Sequence, residues 1–159
     1  MNKNIKNYLA LAFFILLPLL VGYLSSIIPG VSFKETYSLL NKPSFSPSPS
    51  VFGPVWTVLY ILMGIAAYLV WKERKRKNIN WAMALFSAQL LLNFLWSIIF
   101  FGMNNYLLAF IEIIILLVLI IGTVLSFNKI SKAAAYLLIP YLYWVCFATF
   151  LTFSVFKLN

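Results

Sequence analysis

The sequence predicts an all-α membrane protein: a compact bundle of five transmembrane helices with a long structured first loop and three short turns. Three observations carry this. Of 159 residues, 64% are hydrophobic and only 9% are charged, and mean hydropathy is +0.97, a balance that suits lipid rather than water as solvent. The charges cluster between five uncharged runs, 8–28, 51–71, 79–102, 106–127 and 133–156. Each run reaches the ~20 residues that carry a helix across a ~30 Å hydrocarbon core. A helix satisfies its own backbone polar groups there, and the short alternating segments of a β-barrel are missing.

Taken in order, Lys3 and Lys6 precede the first run as they would in a signal peptide. Its apolar stretch is too long for one and no A-x-A site follows, so it is expected to remain as the first span. The connector 29–50 is the only long one, and Gly30 is its one glycine. Pro43, Pro47 and Pro49 stiffen it, and Tyr37, Phe45 and the nearby Phe52 supply apolar anchors, which predicts a folded lid over one mouth of the bundle. The remaining connectors, 72–78, 103–105 and 128–132, are short enough to predict that each joins antiparallel neighbours. Five spans cannot form an even pair of inverted repeats, which counts against the commonest transporter architectures. Small residues four apart, Gly22 and Ser26, Ala84 and Ala88, Gly122 and Ser126, allow close helix approach within the chain or between copies.

The formal charge of +9 is placed asymmetrically. Lys3, Lys6, Lys72, Arg74, Lys75, Arg76, Lys77, Lys129 and Lys132 fall on one face, and only Lys34, Lys42 and Lys157 on the other. The positive-inside rule therefore puts the N-terminus in the cytoplasm and the first loop outside, with no nucleic-acid partner. The run 72–77 reads as a topology signal, with anionic headgroups as the other reading.

Histidine is absent and the carboxylates number three, Glu35, Glu73 and Glu112. That removes a Ser-His-Asp arrangement, zinc-ligand spacing and haem ligation through histidine; no metal and no resident cofactor are expected. No G-x-x-x-x-G-K motif supports nucleotide binding. The single cysteine, Cys146, lies inside the last run and excludes an internal disulfide. Glu112, at depth in the fourth run, is a functional carboxyl, or reaches the membrane boundary, or pairs with Asn93 or another polar group.

Aromatic residues make up 18% of the chain. Tyr8, Trp71, Trp81 and Tyr106 sit near span ends, as interface-belt residues do. Three others fall on helical faces with polar or aromatic companions: Trp56 with Tyr60, Met63 and Ala67; Trp96 with Gln89 and Asn93; Trp144 with Pro140, Phe147, Ala148 and Leu151. These faces can line one cavity. Gln89 and Asn93 serve either as interhelical glue or as polar handles in an apolar pocket; spacing alone leaves both open.

Several blocks together resemble the tryptophan-rich sensory protein family, TspO, whose animal members are the translocator proteins. They are Tyr37 with Lys42-Pro43-Ser44-Phe45 and Pro47; Gly53-Pro54-Val55-Trp56 with Leu59-Tyr60 and Met63-Gly64; Gln89-Leu90, Asn93, Trp96 and Phe100-Phe101-Gly102; and Pro140-Tyr141, Trp144 and Phe147-Ala148-Thr149. The resemblance covers nearly the whole chain. It implies a five-helix bundle, homodimeric, with a ligand cavity beneath the first loop, in a bacterial cell membrane. It implies as partners a porphyrin such as protoporphyrin, or a similar flat apolar ligand, and the synthetic aromatic ligands of translocator proteins. The implied ligand-binding residues are Tyr37, Pro47, Trp56, Tyr60, Asn93, Trp96, Trp144, Phe147 and Ala148, with Trp56 and Trp144 as catalytic residues if light- and oxygen-dependent porphyrin degradation takes place. Lys34 and Lys42 are nearby cations for the acidic edge of the macrocycle. Transport of porphyrins or other amphipathic molecules is the alternative role. The chain departs from the family pattern at Thr36, Phe45 and Ser48, and Phe153 stands where the proposed cholesterol motif wants tyrosine, so weak sterol binding is expected.

Overall fold

The computed structural model describes residues 3–159. Its α-helices are α1 (Lys3–Ile27), α2 (Phe33–Leu39), α3 (Pro49–Lys72), α4 (Asn80–Ser97), α5 (Tyr106–Ile130), α6 (Lys132–Leu137) and α7 (Ile139–Leu158). A 3-10 turn, Glu73–Lys75, continues α3, and a π-helical turn, Ile98–Gly102, continues α4. Among the described residues, five stretches are long and apolar enough to cross a membrane: Asn4–Ile27, Pro49–Lys75, Asn80–Gly102, Tyr106–Ile130 and Lys132–Leu158. The last is α6 and α7 in series, and α2 lies in the first loop.

Local chemistry sets the boundaries. Gly30, with φ +68°, takes the left-handed conformation just past α1, and its N–H donates to the Ile27 carbonyl at 3.1 Å. Ser32 caps α2, and Asn105 caps α5 by accepting from the Leu108 N–H at 3.0 Å. The tight reversal before α5 uses Asn104 at φ +51°, a conformation asparagine tolerates better than most residues. Pro140 has no N–H to give the preceding turn, and the fifth span breaks at Leu138 between α6 and α7.

The helices form a ring in the order α1, α3, α6 with α7, α5, α4, closing back on α1. As expected, α4 and α5 are antiparallel neighbours, and so are α5 and the fifth span. The expectation that the second and third spans are close neighbours is corrected: the backbones of α3 and α4 come little near each other, and the two helices meet through long side chains such as Tyr60 and Asn93. Seven residues reach roughly 23 Å when extended, enough to cross the bundle end rather than turn back beside the helix just left. Side chains, not backbone proximity, then join α3 to α4 across the centre.

The tightest crossing is between α1 and α3. Pro18 lies inside α1 and cannot donate to the Phe14 carbonyl. Gly64 of α3 packs against that same carbonyl, and a Cβ built there would collide with the backbone of Phe14 and Ile15. The half of the bundle nearest the basic connectors is solid, filled by Met63, Ala66, Ala67, Val70, Phe86 and Phe127. The outer surface presents apolar side chains such as Leu16, Leu20, Val118, Leu125 and Phe150, as lipid requires.

Two glycines of α3 give a matched test. A Cβ at Gly53 would meet nothing within 4 Å, so Gly53→Ala should leave thermal unfolding in detergent unchanged or raise stability by up to about 1 kcal/mol through helix propensity. Gly64→Ala should instead lose about 1–3 kcal/mol by overpacking. A stabilised Gly64→Ala protein would mean that α1 and α3 separate freely at their crossing.

Candidate functional site

A cavity of about 660 Å³ opens beneath the first loop, in the half of the bundle away from the basic connectors. Its floor is a hydrogen-bonded relay. The Tyr60 hydroxyl of α3 donates to Asn93 Oδ1 of α4 at 2.7 Å, and Asn93 Nδ2 donates to the Tyr141 hydroxyl of α7 at 3.2 Å. Tyr141 donates in turn to Gln89 Oε1 at 2.7 Å, and Gln89 Nε2 points to the Met63 sulfur at 4.0 Å. Gly22 of α1 leaves the space for the Tyr60 ring, which a Cβ at that position would overlap. Both readings of Asn93 therefore have substance: its amide joins three helices, and the residue also stands on the cavity wall.

The walls are aromatic. Trp56 stacks on Tyr60 with centroids 5.4 Å apart and meets Tyr141 edge-on at 6.2 Å. Trp96 stacks on Phe100 at 4.7 Å. The π-helical turn, in which the Met103 N–H reaches back to the Ile98 carbonyl at 2.9 Å, lets the consecutive Phe100 and Phe101 both be buried. Trp144 meets Phe52 at 5.9 Å, and Ala148, Val145 and Thr152 complete the α7 side. Between α1 and α3 the wall thins to Tyr23, Ser26, Ser50, Gly53 and Thr57, all exposed, so the cavity is open to the side there.

The lid is a built object. Tyr37, 4% exposed, stacks on Phe33 at 5.4 Å and meets Phe52 at 5.2 Å. Phe33 in turn meets Phe101 at 5.2 Å. The Tyr37 hydroxyl donates to the Pro47 carbonyl at 3.0 Å, closing the proline-rich segment onto α2. Lys42 Nζ donates to the Tyr37 and Leu40 carbonyls at 2.5 and 2.9 Å, capping the C-terminal end of α2. Asn41 and Asn159 clasp lid to bundle: the Asn41 N–H donates to Asn159 Oδ1 at 3.1 Å, and Asn159 Nδ2 donates to the Asn41 carbonyl at 3.0 Å.

Of the residues singled out from the sequence, Tyr37, Trp56, Tyr60, Asn93, Trp96, Trp144 and Ala148 come together on the cavity wall. Pro47 and Phe147 stand outside it. Pro47 holds the Tyr37 hydroxyl, and Phe147 lies beside Trp144 and under Phe45, at 5.7 and 6.4 Å. Lys42 is committed to backbone carbonyls, leaving Lys34 as the exposed cation of α2. On α7 the cavity is lined by Trp144, Val145, Ala148, Leu151, Thr152 and Val155, so the expected face holds at Trp144, Ala148 and Leu151 and fails at Phe147 and at Pro140, which is exposed. Tyr141, 1% exposed and behind the cavity wall, is the relay residue missed from the sequence, and its polar tip in an otherwise apolar run is the signal for it. Glu112 is buried on α5 with neither oxygen partnered, so it is not the partner of Asn93, and it is not on the cavity wall.

This arrangement has counterparts. Residues 14–158 match the model of the TspO/MBR family. The chain belongs to that family. It is 42% identical to a tryptophan-rich protein TspO of Chlorobaculum tepidum, over 100% of this chain and 99% of that one. A tryptophan-rich protein TspO of Archaeoglobus fulgidus is 42% identical over 96% of this chain and 99% of its own. The human translocator protein is 38% identical over 77% of this chain and 74% of its own. Membership in this family and the five apolar helices establish a multi-pass membrane protein.

The relay makes a specific demand on stability. Asn93→Ala leaves the hydroxyls of Tyr60 and Tyr141 without their shared partner and should cost about 1–2 kcal/mol, the upper part of the range for hydrogen bonds between membrane helices. Tyr141→Phe should cost a similar amount, and the double variant clearly less than the sum. Thermal unfolding of the three variants in one detergent checks this; strict additivity would show that the groups act independently.

Proposed function

We propose that the cavity holds a flat, apolar tetrapyrrole such as protoporphyrin, and that the protein acts as a membrane sensor or regulator which degrades the bound ring under light and oxygen. The observation that carries this reading is the convergence of three indoles, Trp56, Trp96 and Trp144, from three helices on one cavity. Its size, about 660 Å³, falls within the ~300–1,000 Å³ typical of small-molecule sites. Aromatic walls favour a planar guest through stacking and edge contacts, while the amides of the floor are already engaged with phenols and hold the shape of the site. Lys34 on the lid supplies a cation for an acidic edge.

In the degradation step the ring is oxidised and dioxygen reduced, light supplying the activation. Trp56 and Trp144 relay single electrons between the excited ring and oxygen and end unchanged. The lateral gap between α1 and α3 suits a guest arriving from lipid. The solid basic half below the cavity favours a holding site over a path through the bundle, and so the sensing role over transport. The charge asymmetry supports a bacterial cell membrane location with the N-terminus cytoplasmic and the lid outside, and the family supports a homodimer.

A titration decides the matter. Protoporphyrin added in the dark should quench tryptophan fluorescence and shift the porphyrin absorbance saturably, and illumination in air should give a new absorbing product. Trp56→Phe and Trp144→Phe should keep affinity within about threefold, since phenyl preserves most of the ring contact, and should lose the product. No spectral change on mixing would defeat the reading; light-independent flux of intact porphyrin into sealed vesicles would favour transport.

A further inference from the structure

We infer that the end of the bundle opposite the lid carries a binding site for the headgroup of an anionic phospholipid, built where two connectors are tied together. Lys72, Arg74, Lys75, Arg76 and Lys77 lie at the end of α3 and in the crossing to α4, and Lys129 and Lys132 flank the break between α5 and α6. Lys77 Nζ fastens the two: it donates to the Lys129 carbonyl at 3.1 Å and to the Ile130 carbonyl at 2.7 Å, at the negative end of the α5 dipole. Seven cations are thereby gathered at one bundle end with Glu73 as the one acidic residue in these two connectors.

Two of the cations are committed. Lys77 serves the carbonyls, and the Arg74 guanidinium lies 3.3 Å from the Trp71 ring centroid while its Nη1 donates to the Trp71 carbonyl at 2.9 Å. Lys75, Arg76 and Lys132 are exposed and have no carboxylate partner among the described residues. Lys75 and Arg76 are adjacent in the chain, and the Lys77 tie holds their connector to the one that carries Lys132; like charges gathered at one bundle end repel, and an anion from outside relieves that repulsion. A phosphodiester meets that need with oxygens that accept several charge-assisted hydrogen bonds at once.

The surroundings fix the source as lipid. Trp81 at the start of α4 and Tyr136 on α6 are each 71% exposed at this same end, which places amphipathic rings at headgroup level on either side of the basic connectors. Lys72 over Tyr68 and Arg74 over Trp71 keep their apolar stems against the bundle with the charge at its rim. A phosphatidylglycerol-type headgroup has its acyl chains beside the outer helix faces when its phosphate reaches Lys75, Arg76 and Lys132; a free phosphate uses none of those apolar contacts.

The test uses the wild-type protein in vesicles doped with spin-labelled phosphatidylglycerol or phosphatidylcholine of the same chain length. The phosphatidylglycerol label should be preferred in the motionally restricted fraction, with a preference that falls as salt rises. Lys75→Gln, Arg76→Gln and Lys132→Gln should each weaken the preference by roughly fivefold at most, and the triple variant should abolish it. Lys34→Gln with Lys157→Gln, at the lid end, should retain it. Equal restriction of the two labels by wild-type protein overturns the proposal whatever the variants do. So does loss of the preference in the lid-end pair, which assigns it to overall charge, or its abolition by excess inorganic phosphate at constant ionic strength, which assigns the site to a free anion.

Discussion

The structure depends on the relay from Tyr60 through Asn93 and Tyr141 to Gln89. A ring of five helices leaves a central space, and in hydrocarbon no water can fill it to satisfy polar side chains. Helices α3, α4 and α7 contribute the four groups of the relay, and the backbone of α4 comes little near the other two; the chain of phenols and amides crosses the space instead and gives each group a partner. The two tyrosines do this with rings that also occupy volume. The cavity begins where those rings stop, so the element that ties the bundle together is also the floor of its site.

The lid rests on the same logic one layer higher. Several of its backbone polar groups are met by nearby side chains: Lys42 takes the carbonyls at the end of α2, Tyr37 takes the Pro47 carbonyl, and Asn159 takes both polar groups of the Asn41 backbone. The aromatic underside, Phe33 and Tyr37 against Phe52 and Phe101, then packs on the bundle. Rigidity in this segment comes from a lysine, a tyrosine and two asparagines as much as from its prolines.

The spans, the folded lid and the aromatic identity of the site were legible because hydropathy, proline placement and helical spacing are local properties. Ring order was not. A connector of seven residues fits both a neighbour and a crossing, and only the centre-spanning bonds of Asn93 choose the crossing. The face expected on α7 started from Pro140, which is exposed; the buried stripe starts one residue later at Tyr141 and runs through Val145 and Thr152, which leaves Phe147 off the cavity while Trp144, Ala148 and Leu151 stay on it. Phe100 and Phe101 share burial only through the π-helical turn, which ordinary helical spacing does not foresee. Pro47 carries its role through its carbonyl, which no side-chain pattern reveals.

The cavity is walled by large rings as well as by small residues such as Gly22, Ser26 and Gly53, and its place in the bundle follows from the paths of the helices. Near the basic end α3 lies against α6, and α1 crosses α3 at Gly64, which closes that half. Above the crossing α1 and α3 part, and above the break at Leu138 α7 keeps little contact with α3. Pro18 and Pro140 sit at these two places, one freeing the carbonyl on which Gly64 packs and the other ending the run of hydrogen bonds that would have kept the fifth span continuous. Two prolines in two spans thus set which half of the bundle is solid and which is hollow, and the lid covers the hollow half.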